Sequence, residues 1–125
     1  MSLKRWISEE TEFLDLEGPY SLESGESLPQ VRVAYRTWGR PRRNATLVCH
    51  ALTGSADADD WWANLFGPGR ALDPDRDYIV CANVLGGCYG TTGPTSRAVG
   101  AFEPYGGSFP AVTIRDIVHV QARLL

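Results

Sequence analysis

The sequence predicts an α/β fold, in which strands of a sheet lie between helices. Two short apolar runs at residues 45–49 and 78–84 support this, because each is typical of a strand that is covered on both faces. Each run stops abruptly and opens into a loop rich in small residues, and a segment with helical character follows. Open α/β sheets bind ligands beyond the carboxyl ends of their strands. These two loops are therefore the candidate functional segments.

Length and composition favour one globular domain. The chain has 125 residues and a net charge of −3, from 12 Lys and Arg against 15 Asp and Glu. Such a length suits a single domain with a modest core. The basic residues are scattered apart from Arg40, Arg42 and Arg43, so nothing favours nucleic acid as a partner. Because Gly39 and Pro41 flank that trio, we interpret it as a solvated turn in preference to an anion site.

The cysteines and the N-terminal residues predict a cytoplasmic protein. The number of cysteines is odd, Cys49 and Cys81 lie in apolar runs and Cys88 lies in a loop, so no disulfide framework is expected. Residues 1–18 contain no uninterrupted apolar segment. No run approaches the ~18 residues that a membrane span needs.

The first part of the chain predicts strands. Residues 13–17 form the first strand, and Gly18-Pro19 ends it. The chain then predicts a strand at residues 20–23, a turn at residues 24–26 and a further strand at residues 31–38. In residues 31–38 Val31, Val33, Tyr35 and Thr37 would lie on one face of the strand, and the residues between them on the other. This alternation is typical of a half-exposed strand. We predict that this pair forms an edge hairpin.

A helix is predicted after residue 54. An aspartate at position 57, 59 or 60 can cap it, because a carboxylate accepts hydrogen bonds from the free N–H groups of the first turn. Gly67-Pro68-Gly69 ends it. One side of it carries Trp61, Trp62, Leu65 and Phe66. We interpret the tryptophan pair as core packing, with stacking on a ligand as the alternative.

The second loop, residues 85–94, has a glycine spacing that argues against nucleotide binding. A P-loop requires Gly-Lys-Ser or Gly-Lys-Thr, and the dinucleotide fingerprint requires G-x-G-x-x-G at the start of a helix. Here the spacing is G-x-x-G-x-x-G and Pro94 follows. The spacing predicts a compact loop whose backbone approaches another group closely. Cys88 is a possible nucleophile, but the sequence around it supplies no base or cation to activate the thiol.

The last predicted helix begins near Thr113. Thr113 can cap it, and Asp116 can complete a variant of the capping box. Residues 96–109 before it form a polar surface excursion, and His119 is expected to be solvated. The predicted buried stripe consists of Ile114, Ile117, Val118, Ala122 and Leu125.

Several segments, in order, closely resemble the homoserine O-acetyltransferase family. They are Val-Ala-Tyr-Arg-Thr-Trp-Gly at 33–39, His-Ala-Leu-Thr-Gly at 50–54, the Trp-Trp segment with Gly-Pro-Gly at 67–69, Asn-Val-Leu-Gly-Gly-Cys with Gly-Thr-Thr-Gly-Pro at 83–94, and Phe-Pro with Thr-Ile-Arg-Asp at 109–116. The resemblance extends from about Phe13 to Leu125. It implies an α/β-hydrolase fold and a role in methionine biosynthesis.

The resemblance also implies a chemistry. A serine would take the acetyl group from acetyl-CoA, and the hydroxyl of L-homoserine would then accept it, with no cofactor or metal and with a homodimer as the complete enzyme. Such acyl transfer needs N–H donors for the oxyanion. The matching loop would provide the backbone N–H of Leu52, with His50, Ala51, Thr53 and Gly54 shaping the pocket. The second loop would support the cavity through Gly86, Gly87, Cys88, Gly90 and Gly93.

The catalytic triad of the family has no match in these residues. A nucleophile elbow requires a pattern such as G-x-S-x-G between a strand and a helix, and no serine of the chain fits it. Neither His50 nor His119 matches the catalytic histidine of the family. We therefore expect residues 1–125 to be the N-terminal part of a single catalytic domain that lacks the nucleophile-elbow half.

Two consequences and three alternatives follow. Without the nucleophile strand, the strand before His50 would have an open edge, so we expect the 125 residues alone to be marginally stable and inert. A homoserine or serine succinyltransferase is the close alternative to the acetyltransferase. An esterase on the same fold is another, and a non-catalytic interaction piece is the third.

Overall fold

The structure is a computed structural model that describes residues 7–125. The described chain divides into two compact units. Unit 1 contains residues 35–82 with the described residues up to Glu12, and unit 2 contains residues 13–34 and 83–125. The strands are β1 (Glu12–Leu16), β2 (Tyr20–Ser21), β3 (Ser27–Leu28), β4 (Val31–Trp38), β5 (Ala45–Val48) and β6 (Tyr78–Ala82). The α-helices are α1 (Ala58–Trp61) and α2 (Ile114–Leu124), with short 3₁₀ helices at Ala63–Leu65 and Gly106–Ser108.

The main sheet has the strand order β1-β4-β6-β5, and β2 pairs with β3 separately. In unit 1, β6 is antiparallel to β4, with Tyr35 opposite Ala82, and parallel to β5, with Val48 opposite Cys81. Strand β5 is the last in this order, so among residues 7–125 its outer edge has no partner strand. This confirms the open edge that the sequence predicts for the strand before His50.

The predicted edge hairpin is wrong. The turn at residues 24–26 joins β2 to β3, and β4 lies inside the main sheet, between β1 and β6. Strand β4 is also more buried than a half-exposed strand, because Ala34 and Arg36 are buried as well as Val31 and Val33. A charged residue in an alternating pattern normally indicates solvent, but Arg36 is neutralised by carboxylates and can therefore be buried.

The core of unit 1 lies against β5 and β6. Its buried members are Val48, Ala58, Ile79 and Cys81, with Trp38, Trp61, Phe66 and Leu72 packed against them. The prediction of core packing is confirmed for Trp61 but not for Trp62, which is 43% exposed. Strand β6 is buried as predicted. The prediction that strand β5 is buried on both faces is wrong. Leu47 is half-buried and Cys49, just after the strand, is exposed, because β5 lies at the edge of the sheet.

In unit 2, helix α2 begins with the predicted capping box. The hydroxyl of Thr113 accepts a hydrogen bond from the Asp116 N–H at 3.1 Å, and Asp116 Oδ2 accepts one from the Thr113 N–H at 2.9 Å. The other carboxylate oxygen accepts a bond from the Glu23 N–H at 3.0 Å. These bonds, with the one from the Thr113 N–H foremost, lower the pKa of Asp116 against the opposing effect of burial.

The buried stripe predicted for α2 is wrong. Ile114, Val118 and Leu125 are exposed, with Ile114 at 81%. The buried positions are Asp116, Val120 and Gln121. The reason is the bond between Asp116 and the backbone of Glu23, because it directs the side of the helix that carries Asp116 inward. His119 is exposed, as predicted, and none of the described helices is long and apolar enough to cross a membrane.

Candidate functional site

The loop after β5, residues 50–54, is a tight and exposed turn that we call the β5 loop. The Gly54 N–H donates to the carbonyl oxygen of Ala51 at 2.8 Å and closes the turn. Nδ1 of His50 lies 2.7 Å from the same oxygen. Because a carbonyl oxygen only accepts, Nδ1 must carry the proton there. Ala51, Leu52 and Thr53 are exposed, and Leu52 is fully exposed.

The tip of the β5 loop offers a free backbone donor. The N–H of Leu52 donates no hydrogen bond to any residue from 7 to 125. Most backbone N–H groups that are not bonded within a protein are bonded to water, and such a group can exchange water for a ligand oxygen. The position of this donor, just beyond the carboxyl end of a sheet strand, is the place where α/β folds bind substrates.

The chain on the far side of the β5 loop is firmly anchored. The carbonyl oxygen of Ser55 accepts a hydrogen bond from the indole N–H of Trp61 at 3.0 Å, and the thiol of Cys81 donates to it at 3.9 Å. Ala56 and Ala58 are buried. The β5 loop is therefore a short exposed arch between a strand and a buried segment.

A partly buried ion-pair cluster adds to this anchor. Arg36 donates to Asp57 at 3.1 Å and to Asp59 at 2.5 Å, and its guanidinium lies 4.6 Å from the ring centre of Trp38. Burial acts to lower the pKa of Arg36, but the hydrogen bonds and charges of Asp59 and Asp57 outweigh it and raise that pKa. The prediction that the carboxylate of Asp57 caps α1 is wrong. Asp57 occupies the N-cap position but makes no side-chain capping bond, because its carboxylate pairs with Arg36.

The cysteines differ in exposure. Burial raises the pKa of the Cys81 thiol to about 12, with smaller contributions from the charges of Cys49 and Asp57. Because the thiolate is the nucleophile, Cys81 is inert at neutral pH. Cys49 and Cys88 are exposed.

The loop after β6, residues 85–94, folds onto itself, and we call it the β6 loop. The Gly86 N–H donates to the Thr92 carbonyl at 2.9 Å, and the Gly87 N–H donates to the Val84 carbonyl at 3.1 Å. A Cβ on Gly93 would lie 2.1 Å from the carbonyl oxygen of Gly87. The predicted close backbone approach is therefore present, and the group approached is the backbone of the same loop.

Two threonines of the β6 loop bind it to the first half of β4, in unit 2. The Ala34 N–H donates to the Thr91 hydroxyl at 2.9 Å, and the Thr91 hydroxyl donates to the Asn83 carbonyl at 2.8 Å. The Arg32 N–H donates to the Thr92 hydroxyl at 2.8 Å. Both threonines are buried. Their structural role was not predicted, since no local pattern distinguishes a structural hydroxyl from a solvated one.

The other two predicted residues of the β6 loop, Cys88 and Gly90, differ in exposure. Cys88 is exposed, and Gly90, which is half-buried, adopts a positive φ of 100° and lines a groove of about 340 Å³ with Arg32 and Tyr105. The β5 loop belongs to unit 1 and the β6 loop to unit 2. The predicted site residues of each loop are therefore neighbours within a single unit.

The curated proteins similar in sequence to this chain carry one name, and the similar solved structures include esterases as well. No family model matches the chain. A homoserine O-acetyltransferase of Nostoc punctiforme is 58% identical over 96% of this chain and 35% of its own length. The crystal structure of a homoserine O-acetyltransferase from Bacillus anthracis matches 94% of this chain and 36% of its own, at 26% identity and a TM-score of 0.78. Esterase E22 matches 92% of this chain and 37% of its own, at 31% identity and a TM-score of 0.76.

These comparisons confirm the resemblance drawn from the sequence motifs and the α/β-hydrolase fold that it implies. The chain spans about a third of the length of the curated relatives that it matches. Within that span the sequence identity is high and the fold is shared. By sequence identity and by fold, this chain is therefore similar to about one third of a homoserine O-acetyltransferase.

Proposed function

We propose that the chain takes part in homoserine O-acetylation and that the backbone N–H of Leu52 donates to the oxyanion. In this reaction a serine hydroxyl attacks the thioester carbonyl of acetyl-CoA, and CoA leaves as the thiol. The hydroxyl of L-homoserine then attacks the acetyl-serine ester, which releases O-acetylhomoserine and restores the serine. Each step develops negative charge on the carbonyl oxygen, and a fixed N–H donor stabilises that charge.

The observation that carries the proposal is the free N–H of Leu52 on the exposed arch after β5. An oxyanion donor must have no internal acceptor and must be held in place before the reaction begins. The turn bond from Gly54 to Ala51 and the protonated Nδ1 of His50 support that placement. With Thr53, these residues would shape the substrate pocket.

The β6 loop has a supporting role in this proposal. Its internal bonds hold Gly86, Gly87 and Gly93 in one compact arrangement, while Cys88 is exposed and Gly90 is half-buried. The acyl-transfer serine, its histidine and its acidic partner are assigned to no residue of this chain. We therefore expect the 125 residues alone to give no acetyl-CoA-dependent acylation of homoserine. The proposed setting is methionine biosynthesis in the cytoplasm, by a homodimer that needs no metal or cofactor besides the co-substrate acetyl-CoA.

A chimera tests the role of Leu52. The 125 residues would replace the matching segment of the Nostoc punctiforme relative, and the product would be assayed with homoserine and acetyl-CoA. Leu52→Pro removes the N–H, so we expect kcat to fall by about 10²- to 10³-fold. Leu52→Ala keeps the N–H and removes only an exposed side chain, so its kcat should stay close to that of the unmodified chimera.

The two variants separate the donor from the loop around it. Thermal unfolding of both chimeras shows whether the proline has disturbed the fold. Equal kcat values for Leu52→Pro and Leu52→Ala, in folded proteins, would exclude the N–H as an oxyanion donor. Measurable acylation by the unmodified 125 residues would contradict the expectation that the triad lies outside them.

Ester hydrolysis is the second candidate, because esterase E22 shares the fold at a TM-score of 0.76 and is 31% identical. Hydrolysis and transfer use the same acyl-serine and differ only in whether water or homoserine accepts the acyl group. The chimera assay separates them, since transfer yields O-acetylhomoserine and hydrolysis yields acetate. Comparing acetyl-CoA with succinyl-CoA in the same assay identifies the acyl donor.

A further inference from the structure

A basic groove lies in unit 1 at the amino-terminal ends of β5 and β6, and we call it the arginine groove. It has a volume of about 330 Å³. It is lined among others by Arg42, Arg43, Asn44, Arg76, Asp77 and Tyr78. The sequence pattern shows only a basic turn at residues 40–43, which is typical of a solvated surface. The fold adds Arg76 from the turn before β6, and this turns a run of charges into a concave site.

The arginine groove is positive in a chain that is negative overall. Three guanidinium groups and one carboxylate line it, so its charge is +2, whereas the chain carries −3. The carboxylate of Asp77 is fully engaged, because it accepts bonds from Arg76 at 3.0 and 3.1 Å and from the Asp73 N–H at 3.1 Å. These bonds lower the pKa of Asp77, with the bonds from Arg76 as the largest cause, and they keep the carboxylate charged.

Donors remain available in the arginine groove. Arg42 donates one bond, from Nη2 to the carbonyl oxygen of Asp75 at 3.1 Å. Arg43 makes no hydrogen bond or ion pair with any residue from 7 to 125. A guanidinium has five N–H donors in a planar fork, so most of the donors on these two side chains have no protein acceptor among the described residues. The amide of Asn44 and the hydroxyl of Tyr78 add neutral polar groups to the lining.

We propose that the arginine groove binds the phosphate group of a small phosphorylated molecule. A phosphomonoester carries a charge close to −2 at neutral pH, which matches the charge of the groove. Its oxygens fit the paired N–H groups of a guanidinium, and a single carboxylate would neutralise only half of the charge. The volume admits a phosphate together with part of the molecule that carries it.

This site is separate from the β5 loop. Strand β5 runs from Ala45 to Val48, and the groove lies at its start while the β5 loop lies beyond its end. At about 3.3 Å per residue, the strand and its flanking residues separate the two by more than about 13 Å. The proposal therefore does not depend on the role of Leu52, and either one can fail without the other.

A titration of the full 125-residue chain tests the proposal. Inorganic phosphate, AMP and acetate would be added at constant ionic strength, and binding would be followed through the backbone amide signals of Asn44 and Tyr78. We expect saturable binding of phosphate and AMP at one site and no saturation with acetate. A tighter complex with AMP would show that the groove also contacts the carrier, and equal affinities would identify free phosphate as sufficient.

Matched variants locate the binding. Arg43→Ala removes an exposed guanidinium of the groove and should weaken phosphate binding by about tenfold. Arg40→Ala removes an exposed guanidinium of the same turn that does not line the groove, so it should leave binding within about twofold. Arg43→Lys keeps the charge and should retain part of the affinity, which separates loss of charge from loss of fold. Non-saturable binding, or equal effects of Arg40→Ala and Arg43→Ala, would overturn the proposal.

Discussion

The β5 loop and the β6 loop follow neighbouring strands of one sheet and share a small-residue composition, yet they are held in opposite ways. The β5 loop is exposed at Ala51, Leu52 and Thr53 and is closed by the bond from Gly54 to Ala51. The β6 loop buries both of its threonines and Gly93, and its hydroxyls bond to the backbone of β4. In the first loop the backbone donor at the tip stays free, whereas in the second the polar groups are used for structure.

The difference shows that composition does not separate a binding loop from a structural one. Both loops contain glycine and threonine after an apolar strand. What separates them is where each threonine lies: Thr53 is exposed, whereas Thr91 and Thr92 are buried and replace missing backbone partners. A buried polar group must be bonded, and the β6 loop meets that requirement with its own hydroxyls.

The largest effect is expected from Gly93→Ala in the β6 loop. The new Cβ would lie 2.1 Å from the carbonyl oxygen of Gly87, and backbone must move to relieve the contact. Overpacking of this kind should lower the free energy of unfolding by about 3 kcal/mol. Urea unfolding followed by circular dichroism measures it. Gly107→Ala, where no atom lies within 4 Å of the new Cβ, is the control. Equal stabilities would show that the β6 loop is as adaptable as the β5 loop.

A smaller effect is expected from Thr91→Val, which keeps the shape of the side chain and removes its hydroxyl. The N–H of Ala34, which is fully buried, would lose its acceptor. An unsatisfied buried donor of this kind should cost about 2 kcal/mol of unfolding free energy. Thr53→Val in the β5 loop is the matched control and should change stability by less than about 0.5 kcal/mol. If the two variants lost the same stability, the contrast between the loops would be wrong.

Local patterns predicted the elements whose signals are local. The capping box of Thr113 and Asp116 depends on residues three positions apart, and strand β6 is a continuous apolar run. Two of the wrong predictions concern partners that lie far along the chain. The burial of Arg36 depends on Asp57 and Asp59, and the inward side of α2 depends on the backbone of Glu23. A window of one element does not contain those partners.

The candidate site shows the same division. The position of the β5 loop, at the end of a strand, was predictable from the abrupt change at His50. The exposure and the free N–H of Leu52 depend on the three-dimensional fold of the loop, and the resemblance is what implies its role as a donor. The arginine groove was not predictable, since Arg42 and Arg76 lie 34 positions apart and meet only when β5 pairs with β6.

Among the three test variants, Gly54→Ala in the β5 loop is expected to lose the least stability. The new Cβ would lie 2.8 Å from the Cβ of His50 and 3.1 Å from the carbonyl oxygen of Ala51, so the turn must shift. Because residues 51–53 are exposed, the shift displaces no core side chain, and the unfolding free energy should fall by less than about 1 kcal/mol. The shift would nevertheless move the N–H of Leu52. Misplacement of a catalytic group by about 1 Å can cost 10²-fold in rate, so kcat of the chimera should fall by at least about tenfold. A folded Gly54→Ala chimera with unchanged kcat would mean that the geometry of the β5 loop does not set the donor. A loss of stability as large as that of Gly93→Ala would mean that both loops are held equally tightly.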